Sequence, residues 1–554
     1  MLNSHVIGDK DVVLCEETVG DLFDRIATTH GSREALVVKH QNIRWTYGEL
    51  AKEVDALAAG LHALGLTSGD RLGIWAPNCA EWTVTQFATA KLGIILVNIN
   101  PAYRLSELEY ALNKVECRAI ITAESFKTSN YVQMLQKLAP ELASAAPGKL
   151  SAAKIPSLEF VIKLGSDALP GFYTYRDVTA LATSELSQEV AHIQVGLSTH
   201  DPINIQFTSG TTGMPKGATL SHYSIVNNGF FCGSAMQFTE EDKLCIPVPL
   251  YHCFGMVLGD LACVTHGACM VYPNDGFDPL LTLQVSAEER CTALHGVPTM
   301  FIAMLDHPEF NTFDLSSLRT GVMAGSPCPI EVMKRVIGEM HMAGVTIGYG
   351  MTETAPLSFQ SSVSDSVEKR VSTVGRVLPQ TEVRIVDEDG NNVPVGATGE
   401  LITSGYCVMK GYWNDEEKTA EAVRDGWMHT GDLATFDSEG YCQIVGRLKD
   451  MLIRGGENIY PREIEEFLYT HPDIQDVQVF GVPDEKYGEE VCAWIILKEG
   501  TNCNADAVMA FCKDKIAHYK VPRYIHFVEE FPMTVTGKAQ KFIMREQMEA
   551  ILKP

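Results

Sequence analysis

Residues 203–221 read Ile-Asn-Ile-Gln-Phe-Thr-Ser-Gly-Thr-Thr-Gly-Met-Pro-Lys-Gly-Ala-Thr-Leu-Ser. The apolar run Ile203–Phe207 predicts a strand, Thr208 to Gly217 a loop, and the residues from about Ser221 a helix. Glycines let backbone N–H groups approach an anion closely, and the hydroxyls and Lys216 add further donors. That is the composition of a loop that wraps triphosphate oxygens. It is not a Walker A loop, because GxxxxGK[ST] is not matched. The competing reading of the motif alone is a plain polar Ser/Thr/Gly loop, which the composition favours less.

The same alternation extends outward. Upstream come an amphipathic helix at Thr18–Thr29 with Leu22, Phe23 and Ile26 on one face, an apolar run Arg71–Ala76, and a helix Ala80–Leu92. An apolar run Ile94–Ile99, a helix Leu105–Lys114 and an apolar run Ala119–Ala123 follow. Such repetition implies parallel sheet with crossover helices. The Ala/Ser/Pro/Gly stretch Ala143–Pro156 reads as a surface insertion, and a second βα-like series runs from Ile203 to Tyr349. After about Val374 the pattern changes: Val383–Val386 followed by Asp389-Gly390 predicts a hairpin in a β-rich subdomain. Beyond Asp450 a compact α+β unit is expected. It has a helix from Pro461, strands at Val477–Phe480, Val491–Leu497 and Tyr524–Val528, and a helix over Ala505–Ala517. The fold class is therefore α/β. A large N-terminal domain (1–448) holds parallel-sheet αβ subdomains and a β-rich one, and a small mobile α+β domain occupies 449–554.

Composition narrows the function. The 554 residues carry 44 Lys+Arg against 70 Asp+Glu, a formal charge of −26. An acidic surface repels nucleic acid and anionic lipid, so neither is an expected partner, and an anionic substrate must be drawn in by local basic groups. The 15 cysteines form no CxxC pair, which argues against a disulfide framework or tetrahedral zinc and for packing thiols in a reducing compartment. The stretch Met256–Met270 is broken by Asp260 and His266, so no membrane span is expected. The first residues contain acids and no Arg before Arg25, unlike a transit peptide, which points to the cytoplasm.

Three further motifs bear chemistry. In Tyr349-Gly-Met-Thr-Glu-Thr, an aromatic is followed by a hydroxyl and a carboxylate, which suits adenine stacking beside a metal-bound phosphate. Magnesium is usually held by one or two carboxylates plus substrate phosphates, making Glu353 the natural candidate, although a tyrosine and a glutamate at a strand end are, taken alone, more often structural. In Gly426-Trp-Met-His-Thr-Gly-Asp432 and Gly446-Arg447-Leu-Lys449, a carboxylate can accept two ribose hydroxyls and an Arg can add donors. The same Asp and Arg are open to being a salt bridge. Pro532-Met-Thr-Val-Thr-Gly-Lys538 sets a Lys on a Gly-containing turn, which on its own could be merely solvated.

Together, TSGTTGMPKG, YGMTET, HTGD, GRLKDMLIRGGENIYPREIE and TVTGK occur in the order of the adenylate-forming family of acyl-CoA synthetases, coumarate ligases and peptide-synthetase adenylation domains. The resemblance runs from about Thr18 to Arg545, and MAGSPCP (323–329) with YGMTETAPLSFQ resembles the medium-chain fatty acyl-CoA ligases.

The resemblance implies a carboxylate joined to AMP with release of pyrophosphate, then passed to coenzyme A, with ATP and Mg2+ required. It makes Thr208, Ser209, Gly210, Thr211, Thr212, Gly213, Met214, Pro215 and Lys216 the phosphate loop. It puts Gly325, Ser326 and Pro327 on one side of adenine, with Tyr349 stacked on it. Thr352 is expected at the α-phosphate, Glu353 on Mg2+, and Asp432 and Arg447 on the ribose. Lys538 is expected to bridge carboxylate and α-phosphate, Lys449 to be the hinge, and Gly455 and Gly456 to line the pantetheine tunnel. His252, in Tyr251-His-Cys-Phe-Gly255, takes the place of an aromatic gate beside the acyl carboxylate, though a satisfied core histidine is an equal reading. Small residues (Gly255, Gly348, Gly350) with Met256, Met323 and Met351 suggest an apolar acyl channel. By resemblance the mitochondrial matrix joins the cytoplasm as a compartment. The alternatives are a ligase for aryl or amino acids serving another thiol, and a non-catalytic nucleotide binder. A phosphotransferase or GTPase is disfavoured by the failed Walker A match.

Overall fold

The computed structural model describes residues 3–208, 214–326, 328–455, 457–513, 515–534 and 538–552. Of the expected site residues, Ser209, Gly210, Thr211, Thr212, Gly213, Pro327 and Gly456 lie outside them.

The upstream alternation folds into an eight-stranded sheet. Its strands run Tyr173–Thr174, Phe160–Lys163, Ala119–Thr122, Arg71–Trp75, Ile95–Asn98, Pro202–Thr208, Lys216–Ser221 and Gly411–Tyr412. Pairing is parallel up to Pro202–Thr208 and antiparallel for the last two strands. The central parallel strands Ala119–Thr122, Arg71–Trp75 and Ile95–Asn98 are almost wholly buried, as expected where both faces are covered. Helix Ala80–Leu92 starts and ends as the sequence predicts, but it has no exposed face: 12 of its 13 residues are buried. It therefore lies between layers instead of on the surface.

A second, nine-stranded sheet takes the order Arg376–Val377, Leu357–Gln360, Gly344–Gly350, Thr320–Met323, Ala293–Leu294, Lys243–Cys245, Cys269–Tyr272, Glu34–Val38, Ile43–Thr46. It is parallel from Gly344–Gly350 to Glu34–Val38 and antiparallel at its edges. The β-rich part is a six-stranded antiparallel sheet. In it Thr381–Val386 pairs with Gly399–Gly405, which pairs with Trp427–Phe436, and Cys442–Arg447 lies on the far side of the last.

The C-terminal unit has its own five-stranded sheet, dominated by the hairpin Ile474–Asp484 with Gly488–Leu497. Helices Pro461–Leu468, Ala505–Cys512 and Lys541–Leu552 accompany it. Two apolar clusters belong to it alone, one around Ile464, Leu468, Val479 and Ile495, the other around Phe480, Trp494, Phe531 and Met544. It meets the large body through polar contacts. Ile330 N–H donates to Glu466 Oε2 at 3.3 Å, Arg462 Nη1 to Ile444 O at 3.1 Å, and Gln475 Nε2 to Asp306 Oδ2 at 3.2 Å.

Three local expectations are corrected. The stretch Ala143–Pro156 is irregular but not merely superficial, because Leu150, Ala152 and Ile155 are buried in the core beneath the first sheet. Asp389-Gly390 turns the chain, yet Thr381–Val386 finds its partner at Gly399–Gly405, after a longer connection closed by a Val386–Asn392 bridge. The helix expected over Ala505–Ala517 ends at Cys512.

Candidate functional site

Local structure brings most of the expected residues together. Ser221 ends the strand Lys216–Ser221, and its side chain accepts from Ser224 N–H, so it caps the helix His222–Ala235. The sequence reading missed that strand. It returns antiparallel beside Pro202–Thr208, with Thr208 opposite Lys216, so the loop between them is closed at its base by sheet pairing.

Glu353 sits on a short turn after the strand Gly344–Gly350 and is 5% exposed. Its Oε1 accepts from Tyr412 OH at 2.7 Å and from Thr208 Oγ1 at 3.3 Å. Lys216 Nζ donates to Tyr412 OH at 3.0 Å and lies 4.3 Å from the centre of the Tyr412 ring. Tyr412 is the main residue the sequence reading overlooked. Tyr349 OH donates to Asp432 Oδ2 at 2.6 Å, and Arg447 Nε lies 3.3 Å from Asp432 Oδ1. Aspartate and arginine thus form the ion pair of the simpler reading, and the same two groups face the tyrosine expected at adenine. Burial raises the Asp432 carboxyl above its ordinary range against the pull of Arg447.

The lid contributes Lys538. Its backbone N–H donates to Thr534 Oγ1 at 3.0 Å, while Thr534 N–H donates to Lys538 O at 2.7 Å, which ties the turn. Burial lowers the Lys538 ammonium below the usual lysine range. Arg447 lowers it further, while Cys253, Asp432 and Glu353 oppose the shift. Lys538 Cε lies 3.9 Å from where a Cβ on Gly325 would stand, and Gly325 itself has a φ of +90°, a conformation that favours glycine. Ser326 follows at the same bend, and Met214 and Pro215 lead into Lys216.

His252 precedes a short helical turn, and its Nδ1 accepts from Phe254 N–H at 3.1 Å, which leaves Nε2 to carry the ring proton. Burial pushes the imidazole down to about 3, so it is neutral in ordinary buffers. Cys253 Sγ lies 3.7 Å from His252 Nδ1 and 3.8 Å from Thr352 Oγ1, with its thiol pushed up to about 12 by burial. A cavity of about 280 Å3 adjoins this turn, with Asn78, Pro249, Tyr251, Asp275, Met300 and the lid's Thr534 in its wall.

Lys449 lies in the short turn Leu448–Asp450 between the two bodies, close enough to Arg447, Asp432 and Lys216 to feel their charges. One expected residue stands apart. Gly455 follows the strand Leu452–Arg454 in the lid, where its N–H donates to Tyr487 O at 2.8 Å. Also on the lid, His471, Asp473 and Cys503 place potential ligand atoms within 4.8 Å of one another. His471 Nδ1 accepts from Asp473 N–H at 3.1 Å, however, so its remaining proton occupies Nε2, the nitrogen facing Cys503. That is a poor donor set for a metal. All 15 cysteines are free thiols, and among the described residues no helix is long and apolar enough to cross a membrane.

These groups can hold a polyphosphate, a nucleoside and a small anion side by side, with a lysine from another body set among them. Comparison with known proteins points the same way. A family profile described as AMP-binding enzyme matches residues 23–413, and one described as AMP-binding enzyme C-terminal domain matches 463–538. A mitochondrial medium-chain acyl-CoA ligase, ACSF2 of Danio rerio, is 48% identical over 553 residues, covering 99% of this chain and 91% of that protein. A putative acyl-CoA synthetase of Bacillus subtilis strain 168, YngI, is 49% identical over 536 residues, covering 96% and 97%. Among solved structures, the anthranilate CoA ligase AuaEII in complex with anthranoyl-AMP superposes with a TM-score of 0.85 at 25% identity, covering 98% of this chain and 99% of that one.

Proposed function

The chain belongs to the AMP-binding enzyme family, and from that premise we propose that it is an ATP-dependent acyl-CoA ligase acting on medium-chain fatty acids. A carboxylate and ATP give acyl-AMP and pyrophosphate; coenzyme A then gives the thioester and AMP. The observation that carries this reading is the lid's Lys538 set among Arg447, Asp432, Glu353 and Cys253.

Adenylation is attack of one anion on another. A carboxylate is already ionised, so no general base is needed, and charge must be neutralised where it concentrates. Lys538 is aimed to hold the carboxylate and α-phosphate together, with Thr352 at the same phosphate. Lys216 is the cation for the outgoing pyrophosphate. Tyr349, Gly325 and Ser326 flank adenine, and Asp432 with Arg447 takes the ribose. Glu353, a carboxylate beside the phosphate strand with Thr208 and Tyr412 as donors, fits a site for Mg2+. When bound, that ion supplies neutralisation of the phosphate oxygens. Neutral His252 fits a gate on the carboxylate side, since it adds no competing charge.

For thiolation, Lys538 must leave and the thiol must enter. The two bodies, 1–448 and 449–554, would turn about Lys449, bringing Gly455 and Gly456 to the pantetheine path. The unpaired thiols support a reducing compartment, the cytoplasm or the mitochondrial matrix.

The test is acid-dependent ATP–pyrophosphate exchange across a chain-length series, with and without coenzyme A. The expected result is exchange and thioester peaking at octanoate-like acids. Exchange with aromatic acids alone would instead favour an aryl-CoA ligase, to which the anthranilate enzyme is the structural pointer. No exchange with any acid overturns the reading.

A further inference from the structure

We propose that Tyr412 is a positioning residue for adenylation: its hydroxyl, standing between Lys216 and Glu353, keeps the phosphate-loop cation and the metal-facing carboxylate separate and aimed. The proposal rests on the ligase reading above.

The backbone fixes the tyrosine before its side chain is considered. Gly411–Tyr412 pairs antiparallel with Lys216–Ser221, with Ala218 opposite Tyr412 and Thr219 opposite Gly411. Lys216 is two residues from Ala218 and so projects to the same face of the sheet. Trp413 N–H donates to Gly217 O at 2.8 Å, and Lys410 N–H to Thr219 O at 2.9 Å. On the other side, Met409 N–H donates to Glu353 O at 2.9 Å. The segment Met409–Trp413 thus laces the phosphate strand to the turn that carries Glu353. Tyr412 N–H is itself held by Thr419 Oγ1 at 2.8 Å.

The side chain then does something neither neighbour could do alone. Tyr412 OH donates to Glu353 Oε1 at 2.7 Å and accepts from Lys216 Nζ at 3.0 Å. The ammonium also rests 4.3 Å from the ring centre. A lysine and a glutamate brought into direct contact in a buried pocket would satisfy each other. Each would then be withdrawn from its ligand, the lysine from phosphate and the glutamate from a cation. A neutral hydroxyl satisfies both without cancelling either.

Tyr412→Phe keeps the ring and removes the hydroxyl. Lys216 can then close on Glu353. The expected result is a rise of roughly tenfold or more in the free Mg2+ needed for half-maximal ATP–pyrophosphate exchange, and a higher KM for ATP, because a hydrogen bond to a charged group is lost. The KM for octanoate should not move. Neither triphosphate nor its metal takes part in the second step, so coenzyme A capture of supplied octanoyl-AMP should stay within about twofold of wild type, less than the loss of one ordinary hydrogen bond. That second measurement also reports that the variant is folded. An unchanged Mg2+ dependence in Tyr412→Phe overturns the proposal, as do equal losses in exchange and in capture, which would mark a merely structural tyrosine. Failure of the ligase reading is seen separately: wild-type protein would then give no exchange with any acid.

Discussion

Lys538 reaches the site as a cation whose surroundings work to discharge it. Burial and Arg447 lower its ammonium below the usual 10.5, so it loses its proton at a lower pH than a surface lysine would. The alkaline limb of kcat/KM for ATP in the exchange reaction should therefore begin below 10.5. In Lys538→Arg that limb should move upward, because a guanidinium stays protonated; a pH profile of exchange for both proteins checks this. Lys538→Ala should lose roughly a hundred- to a thousandfold in adenylation, the usual scale for one charge-stabilising donor. Capture of supplied acyl-AMP should fall far less. Half-reaction assays decide it, and equal losses would count against the alternation of bodies. Lys216, Glu353, Asp432, Arg447 and Lys538 were singled out because each stands in a motif that resembles the family's, and the fold brings these distant motifs to one place. Tyr412 was not. It lies on a two-residue strand with no neighbouring chemistry in sequence, and only the register with Ala218 brings it to Glu353.

At the scale of elements, amphipathic or strongly bounded segments were read well. Helices Ala80–Leu92 and Leu105–Lys114 have the predicted limits, and Thr18 caps the first helix by accepting from Asp21 N–H. The strand Lys216–Ser221 escaped because Gly, Ala and Thr carry no hydrophobic period; the strand is defined by its partners. One element invites a measurement. Asp260 lies in the wide helical turn Met256–Leu261, fully buried, with Tyr272 OH donating to its Oδ1 at 2.6 Å and Thr83 Oγ1 to its Oδ2 at 3.2 Å. Burial pushes its carboxyl up to about 7. A folded-state pKa above the unfolded 3.8 means the fold holds the proton more tightly. The associated stability is present at acid pH and lost as pH rises through about 7. Asp260→Asn should thus gain stability relative to wild type as pH rises from about 4 to about 7, by a few kcal/mol in all, with no further gain above that. Thermal melts of both proteins across that range test it, and a difference independent of pH would refute it.

At the scale of the molecule, the sequence announces two bodies but not how they sit. Their boundary is a polar one, made by Glu466, Arg462 and Gln475 reaching Ile330, Ile444 and Asp306, and no hydrophobic stripe in the sequence marks it. Glu466 is the natural latch, accepting from the first turn of the helix Ile330–Glu339 with Arg462 at 3.7 Å. Glu466→Ala should loosen this arrangement by about 0.5–1.5 kcal/mol, slowing adenylation two- to tenfold while quickening thiolation. Single-turnover rates of the two steps measure it; a change in the same direction for both would show that the contact is not a latch.

Lys538 is the last of the site residues in chain order, and it belongs to the body with its own separate apolar clusters. Domains fold largely as units as the chain emerges from the ribosome. The large body can thus assemble its nucleotide pocket while the lysine that activates the carboxylate is still being made. Competence for adenylation would arrive only once Lys538 has been made. The order of residues along the chain thereby sets the order in which binding and activation can arise during synthesis.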